Sequence, residues 1–181
     1  MLSTISGDND PQRAGARRRF PVRRLHLVDI ENLAGASRPN LSQVHQALGR
    51  YTDCLAFGAM DQVEVASSHL TLLNAALGWP HAHYRVRSGP DGADLALLDV
   101  LRYENVAQRF THVVIGSGDH LFAEEAAHLA AQGVWVTVIS RHRSLSLRLA
   151  LGAASRPTCA SGGLGQGVEE HHLTGCQLKL P

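Results

Sequence analysis

The chain has 181 residues, of which 44% are hydrophobic and 18% are charged, and its formal net charge is +1. This length fits one globular domain with extensions at its ends. No window offers the roughly 18 apolar residues of a membrane-spanning helix, and the arginine-rich start lacks the apolar stretch of a signal peptide. Three widely spaced cysteines fit a reducing compartment. We therefore expect a soluble, cytoplasmic protein without a membrane partner.

Charge is distributed unevenly along the chain. Residues 1–24 carry a net charge of +4, residues 25–140 carry −6, and residues 141–181 carry +3. A protein that coats nucleic acid would have a basic folded body, whereas this body is acidic and favours a divalent cation. Because Lys179 is the only lysine, contacts to phosphate would come from arginines, backbone amides or metal ions.

Taken in chain order, the sequence predicts an arm, an alternating body and a tail. Residues 1–23 are polar and without periodicity, which predicts a flexible basic arm. In the body, residues 24–154, we predict strands at 25–29, 54–59, 83–87, 112–115 and 134–140. Helices are predicted at about 41–50, 67–78, 93–109 and 120–132, with a last one at 144–154. The glycine-rich residues 155–181 predict a disordered tail.

The alternation of strands and helices predicts the fold class. It indicates an α/β protein with a Rossmann-like, doubly wound, mainly parallel five-stranded sheet and helices on both faces. In such a sheet, ligands bind at the carboxyl ends of the strands, near the point where the strand order reverses. The polar residues that follow each strand are therefore the candidates for a site.

Three aspartates follow three different predicted strands: Asp29, Asp94 and Asp119. Any one of them alone fits a cap of a turn or helix. Carboxylates that meet at one edge repel one another and raise each other's pKa, so a fold that gathers them generally does so around a cation. Together, the three aspartates predict a site for a divalent metal.

The predicted helix after Asp94 indicates which acids face inward. At about 100° per residue, Leu98 and Leu101 fall on the same side as Asp94, so Asp94 is expected to face the core. Asp99 is rotated by roughly 140° from Asp94 and is expected to face solvent. Asp91 lies in the glycine-rich loop before the helix, and its direction stays open.

Three segments, LHLVDIENL, GPDGADLALLDVL and THVVIGSGDHLFAEEAAHLAAQGVWVTVIS, occur in this order. Across residues 24–141 the chain resembles the NYN domain, a PIN-like family of metal-dependent ribonucleases, in its bacterial form. The resemblance implies metal-binding, catalytic acids at Asp29, Asp94 and Asp119, with Asn32 as a supporting catalytic group. Ser117 matches a small hydroxyl residue of the family, and His120 follows the last acid; both are candidates for substrate binding.

The resemblance also implies a reaction and its cofactor. Carboxylates would hold one or two Mg²⁺ or Mn²⁺ ions, which lower the pKa of a bound water and neutralise charge on the phosphate during hydrolysis of RNA, single-stranded by preference. Arginines near strand ends are candidate phosphate contacts, although each also fits a solvated surface position: Arg38, Arg85, Arg87 and Arg141. The oligomeric state is open, a homodimer included.

Two other functions stay open at this point. The family commonly has D-G-x-N in its first motif, whereas Ile30 replaces the glycine here and Glu31 adds an acid. Together with the missing basic face, this motivates a catalytically inactive module that binds RNA or protein. A phosphatase or nucleotide hydrolase could use the same acids, but the D-x-D nucleophile arrangement is absent.

Overall fold

The computed structural model describes residues 22–154 and the backbone of 176–178. Residues 1–21 of the predicted arm and most of the predicted tail lie outside the described residues. The described strands form one parallel sheet in the order β3-β2-β1-β4-β5-β6. Their bounds are β1 Arg24–Asp29, β2 Gln62–Ser67, β3 His83–Val86, β4 His112–Gly116, β5 Trp135–Arg141 and β6 Cys176–Leu178. The predicted five-stranded parallel sheet is confirmed, and the short β6 pairs with β5 from within the tail segment.

Helices cover both faces of the sheet. Helices α1 Ile30–Ala34, α2 Leu41–Cys54 and α3 Leu72–Gly78 pack on one face. On the other face lie α4 Gly92–Tyr103, α5 Val106–Arg109, α6 Ala123–Ala131 and α7 Leu147–Ala154, with a 3₁₀ turn at His120–Phe122 before α6. Among the described residues, none of the helices is long and apolar enough to cross a bilayer.

The central strand explains why both faces need cover. In β1, Leu25 and Leu27 pack against α4–α7, whereas Val28 packs against α1–α3. Successive side chains of a strand point to opposite faces, so a nearly continuous apolar run is buried on both sides. The doubly wound, Rossmann-like architecture follows from this burial.

The position predicted for the second strand is wrong. Residues 54–59 complete α2 and enter a loop, which Asp61 holds by accepting a hydrogen bond from Gly58 N at 2.7 Å. The actual strand β2 contains Glu64, which is fully buried. Because glutamate is usually exposed, the sequence alone did not indicate a buried strand at this position. Arg85 donates to Glu64 Oε2 at 2.9 Å and compensates the buried charge.

Two helix predictions have wrong boundaries for local reasons. The helix predicted at 67–78 begins only at Leu72, because Ser67 still belongs to β2. The helix predicted at 93–109 is broken between α4 and α5, where Asn105 has a left-handed φ of 51°. Asparagine tolerates this conformation better than most residues, which makes it a natural break.

The topology brings the motifs to one place. Strand β1 lies between β2 and β4, and the strand order reverses between β1 and β4. The carboxyl end of β1 carries Asp29, and that of β4 leads into Ser117 and Asp119. This reversal is where an open parallel sheet usually binds its ligand.

Candidate functional site

Asp29 ends β1 and caps the next helix. Its Oδ1 accepts a hydrogen bond from Asn32 N at 3.0 Å, which closes the first turn of α1. The residue is only 4% exposed, and this burial raises the pKa of its carboxyl, although the Asn32 N–H opposes the shift. Asp29 is thus a buried acid on a rigid junction.

Asp94, in the first turn of α4, contacts Asp29 directly. The two carboxyl groups are close enough for a proton on Asp94 to be shared with Asp29, which favours the protonated form of Asp94. Burial, followed by the negative charge of Asp29, raises the pKa of Asp94 to about 8, and Asp119 and Asp91 add to the rise. Asp94 faces the core, as predicted, and is 7% exposed.

One oxygen of this pair lacks a partner. Asp94 Oδ1 is buried, and no donor within residues 22–154 reaches it. An unsatisfied buried oxygen costs about 1–3 kcal/mol, more when the group is charged. A bound cation would supply the missing interaction and remove the repulsion between the acids.

Asp119 and Ser117 form a tight turn after β4. Asp119 caps the 3₁₀ turn by accepting from Leu121 N at 2.9 Å, and its own N–H donates to Ser117 Oγ at 3.2 Å. The Ser117 side chain is fully buried, so in this structure its hydroxyl supports the backbone of the acid. His120 pairs with Asp119 Oδ1 at 3.0 Å, and its side chain is 58% exposed.

Asn32 connects three parts of the site. Its N–H donates to Asp29, and its side-chain Oδ1 accepts from Gly118 N at 3.2 Å. Its carbonyl oxygen accepts from Arg141 Nε at 2.7 Å. Asn32 therefore holds the segments of Asp29 and Asp119 together, which is a positioning role.

The two departures from the family motif have structural roles. Ile30 is 1% exposed and packs in the core on the face of the sheet that α1, α2 and α3 cover, so its side chain points away from solvent. Glu31 Oε1 accepts from Ser68 N at 2.9 Å and anchors the loop after β2.

The candidate phosphate-binding arginines differ in availability. Arg87 pairs with Asp99 at 3.3 Å, and Asp99 is exposed as predicted. Arg85 is held by Glu64 and Glu104, so its guanidinium is engaged. Arg38 is exposed on the loop between α1 and α2 and makes no ion pair among the residues described.

Sequence reasoning missed the contribution of β2. Ser67 Oγ at its carboxyl end is, with Asp94 Oδ1, one of two buried side-chain atoms that lack a partner in the described part. His69 follows on the same edge, and its Nδ1 lies 2.8 Å from Ser88 Oγ. Placing the strand at 62–67 would have revealed both residues, but the buried Glu64 concealed it.

The acids do not form a complete metal shell by themselves. Within residues 22–154, no group of three or more His, Cys, Asp or Glu side chains is arranged to hold a metal ion. The contact joins Asp29 and Asp94, and Asp119 acts on Asp94 through its charge. Mg²⁺ is usually bound through one or two carboxylates and keeps several waters. The pair and its unpartnered oxygen fit an ion of that kind.

Gly118 gives the site a testable structural requirement. A Cβ at Gly118 would lie 2.2 Å from the carbonyl oxygen of Ser144. Gly118→Ala is therefore expected to lower the free energy of unfolding by about 1–3 kcal/mol, because backbone has to move. Thermal denaturation measures the effect. Gly49→Ala in α2, where a Cβ meets nothing within 4 Å, is the control and should be neutral or stabilising. If Gly118→Ala and Gly49→Ala had the same melting temperature, the close approach of Gly118 to the Ser144 carbonyl would be contradicted.

The chain was compared with protein-family models, with curated proteins and with solved structures, and no match was found. The comparisons assign the chain to no family.

Proposed function

We propose that this protein is a metal-dependent ribonuclease. Its site for hydrolysis of RNA phosphodiester bonds would be formed by Asp29, Asp94 and Asp119. The observation that carries the proposal is the buried Asp29–Asp94 pair with its unpartnered Oδ1. Two buried acids in contact destabilise a fold unless something compensates them. At neutral pH a proton on Asp94 compensates the pair, and a divalent cation that displaces this proton would neutralise both carboxylates. The motif order resembles a family that uses such a cation.

Each residue has a defined part in this proposal. Asp29 and Asp94 would hold Mg²⁺ or Mn²⁺ directly, and Asp119 would do so directly or through water. A bound ion of this type lowers the pKa of a water and neutralises charge on a phosphate. Asn32 keeps the Asp29 and Asp119 segments at a fixed separation through its bonds to both. Single-stranded RNA as substrate rests on the resemblance of the motifs.

A second candidate is a noncatalytic module that binds RNA or protein. The absence of a ready three-acid group in the described residues favours it. The two functions differ in metal binding. Isothermal titration of Mn²⁺ should show heat from a single carboxylate site in a nuclease, and none at millimolar concentrations in an inactive module.

The cleavage assay uses a labelled single-stranded RNA. We expect cleavage with Mn²⁺ or Mg²⁺, none with EDTA, and a loss on the order of 100-fold or more in Asp29→Asn. Asp53→Asn is the matched control, because Asp53 is exposed near the end of α2 and should cleave like the wild type. Cleavage that survives both EDTA and Asp29→Asn would exclude this site.

A further inference from the structure

A short turn at the end of β5 carries two arginines and packs against the segments that contain Asp29 and Asp119. Arg141, His142 and Arg143 are consecutive, and Ser144 N donates to the carbonyl oxygen of Arg141 at 3.2 Å to close the turn. His142 and Arg143 are exposed, and Arg141 is half-buried. We call residues 141–144 the basic turn.

Arg143 occupies an unfavourable backbone conformation. Its φ is +60°, in the left-handed region that glycine and asparagine adopt most readily. A residue with a Cβ costs roughly 1 kcal/mol or more there. Backbone strain of this kind often accompanies function, because the side chain is retained at the expense of stability. The strain points to a use for the Arg143 guanidinium.

The basic turn is attached to both segments that carry the acids. On one side, Arg141 Nε bonds to the Asn32 carbonyl at 2.7 Å, and its guanidinium covers Gly35, where a Cβ would be 2.6 Å from Nη1. On the other side, Ser144 packs on Gly118, and Ser146 N donates to the Gly118 carbonyl at 2.9 Å. Because Asp29 and Asp119 lie in these two segments, the turn has a fixed place next to them.

Neither arginine of this turn has a carboxylate partner in the described part of the chain, although Arg141 is hydrogen-bonded to a backbone carbonyl. Among the described residues, five arginines pair with carboxylates, namely Arg24, Arg85, Arg87, Arg102 and Arg109. Arg141 and Arg143 make no ion pair there. Two unpaired guanidiniums next to a cluster of acids would attract a polyanion that the acids themselves repel.

We propose that the basic turn binds a phosphate group of the RNA strand, a few nucleotides from the bond that is cleaved. The proposal rests on the proposed function. One strand, β4, separates β1 from β5, so about 10 Å lies between their carboxyl ends. A single strand of RNA covers this distance within a few nucleotides. Guanidinium groups suit phosphate because their fixed N–H groups can bind two oxygens at once.

The test measures binding separately from cleavage. Fluorescence anisotropy with a labelled, short single-stranded RNA is performed on variants in an Asp94→Asn background, which keeps the RNA intact. Arg143→Gln should weaken binding by about three- to tenfold and reduce the salt slope by about 0.7, the value for one phosphate contact on a single strand. Arg50→Gln in α2 removes the same charge away from this edge and is the control.

A second variant separates binding from folding. Arg143→Gly should weaken binding as much as Arg143→Gln but raise the melting temperature by about 2–4 °C, because glycine relieves the positive φ. If Arg143→Gln and Arg143→Gly bound the RNA as tightly as the control Arg50→Gln does, the proposal would be overturned. If binding falls as expected while the wild type shows no metal-dependent cleavage, the turn is supported and the nuclease is not.

Discussion

Asp94→Asn is expected to stabilise the metal-free protein and at the same time to abolish its metal-dependent activity. The pKa of Asp94 is raised to about 8, so at pH above 8 its charge is forced into a buried place beside Asp29. Asparagine keeps the shape and removes the charge. One pKa unit corresponds to about 1.4 kcal/mol. After allowance for rearrangement of the pair, we expect the free energy of unfolding of the metal-free protein above pH 8 to rise by about 2 kcal/mol in Asp94→Asn.

The loss of function should be large in the same variant. Without the second carboxylate, cleavage of RNA is expected to fall on the order of 100- to 1000-fold. The rise in melting temperature that Mn²⁺ gives to the wild type should also disappear, since a ligand stabilises only the state that binds it. Thermal denaturation with EDTA and with Mn²⁺ measures both effects.

Asp99→Asn, in the same helix, provides the comparison for stability. Its side chain is 53% exposed, and surface substitutions usually change stability by less than about 0.5 kcal/mol. If Asp94→Asn destabilised the metal-free protein, the buried carboxyl would be compensated by the protein itself. The argument for a cation would then lose its support.

The stability of the metal-free protein should fall as the pH rises from about 6.5 to about 8. In this range the folded protein binds the Asp94 proton more tightly than the unfolded chain does, whose Asp pKa is near 4. Unfolding therefore releases protons, and raising the pH favours it. The expected loss is on the order of 1 kcal/mol, and the raised pKa of Asp29 acts in the same direction.

Below pH 6.5 two histidines oppose this trend. Burial lowers the pKa of His26, and it lowers the pKa of His112 to about 4. Each binds a proton less readily in the fold than in the unfolded chain, so the stability that they contribute is lost as the pH falls through this range. Above pH 6.5 the two histidines contribute little to the pH dependence of stability, so the aspartates can be followed there.

Denaturant titrations at several pH values test the slope. Asp94→Asn should remove most of the decline between pH 6.5 and 8, and saturating Mn²⁺ should flatten it in the wild type because the cation replaces the proton. If the free energy of unfolding of Asp94→Asn still fell by the same amount between pH 6.5 and 8, groups other than Asp94 would cause the decline.

Much of the fold follows from local patterns. The apolar run that becomes β1 and the helical period after Asp94 are readable without coordinates, because burial on both faces and a 3.6-residue period leave a direct trace in residue type. Strand β2 is the exception. Its Glu64 is buried and pairs with Arg85, which is 21 positions away in the chain. A local residue pattern does not predict a pair of this kind.

The candidate site divides in the same way. The parallel α/β architecture could be predicted without coordinates, and so could the positions of Asp29, Asp94 and Asp119 after three different strands, because both depend on apolar periodicity and chain order. Three contacts are visible only in the folded chain: Asp94 lies against Asp29, Ile30 packs in the core, and the basic turn packs on Gly118. These facts depend on contacts between distant segments, whose geometry is set by packing across the sheet rather than by neighbours in the chain.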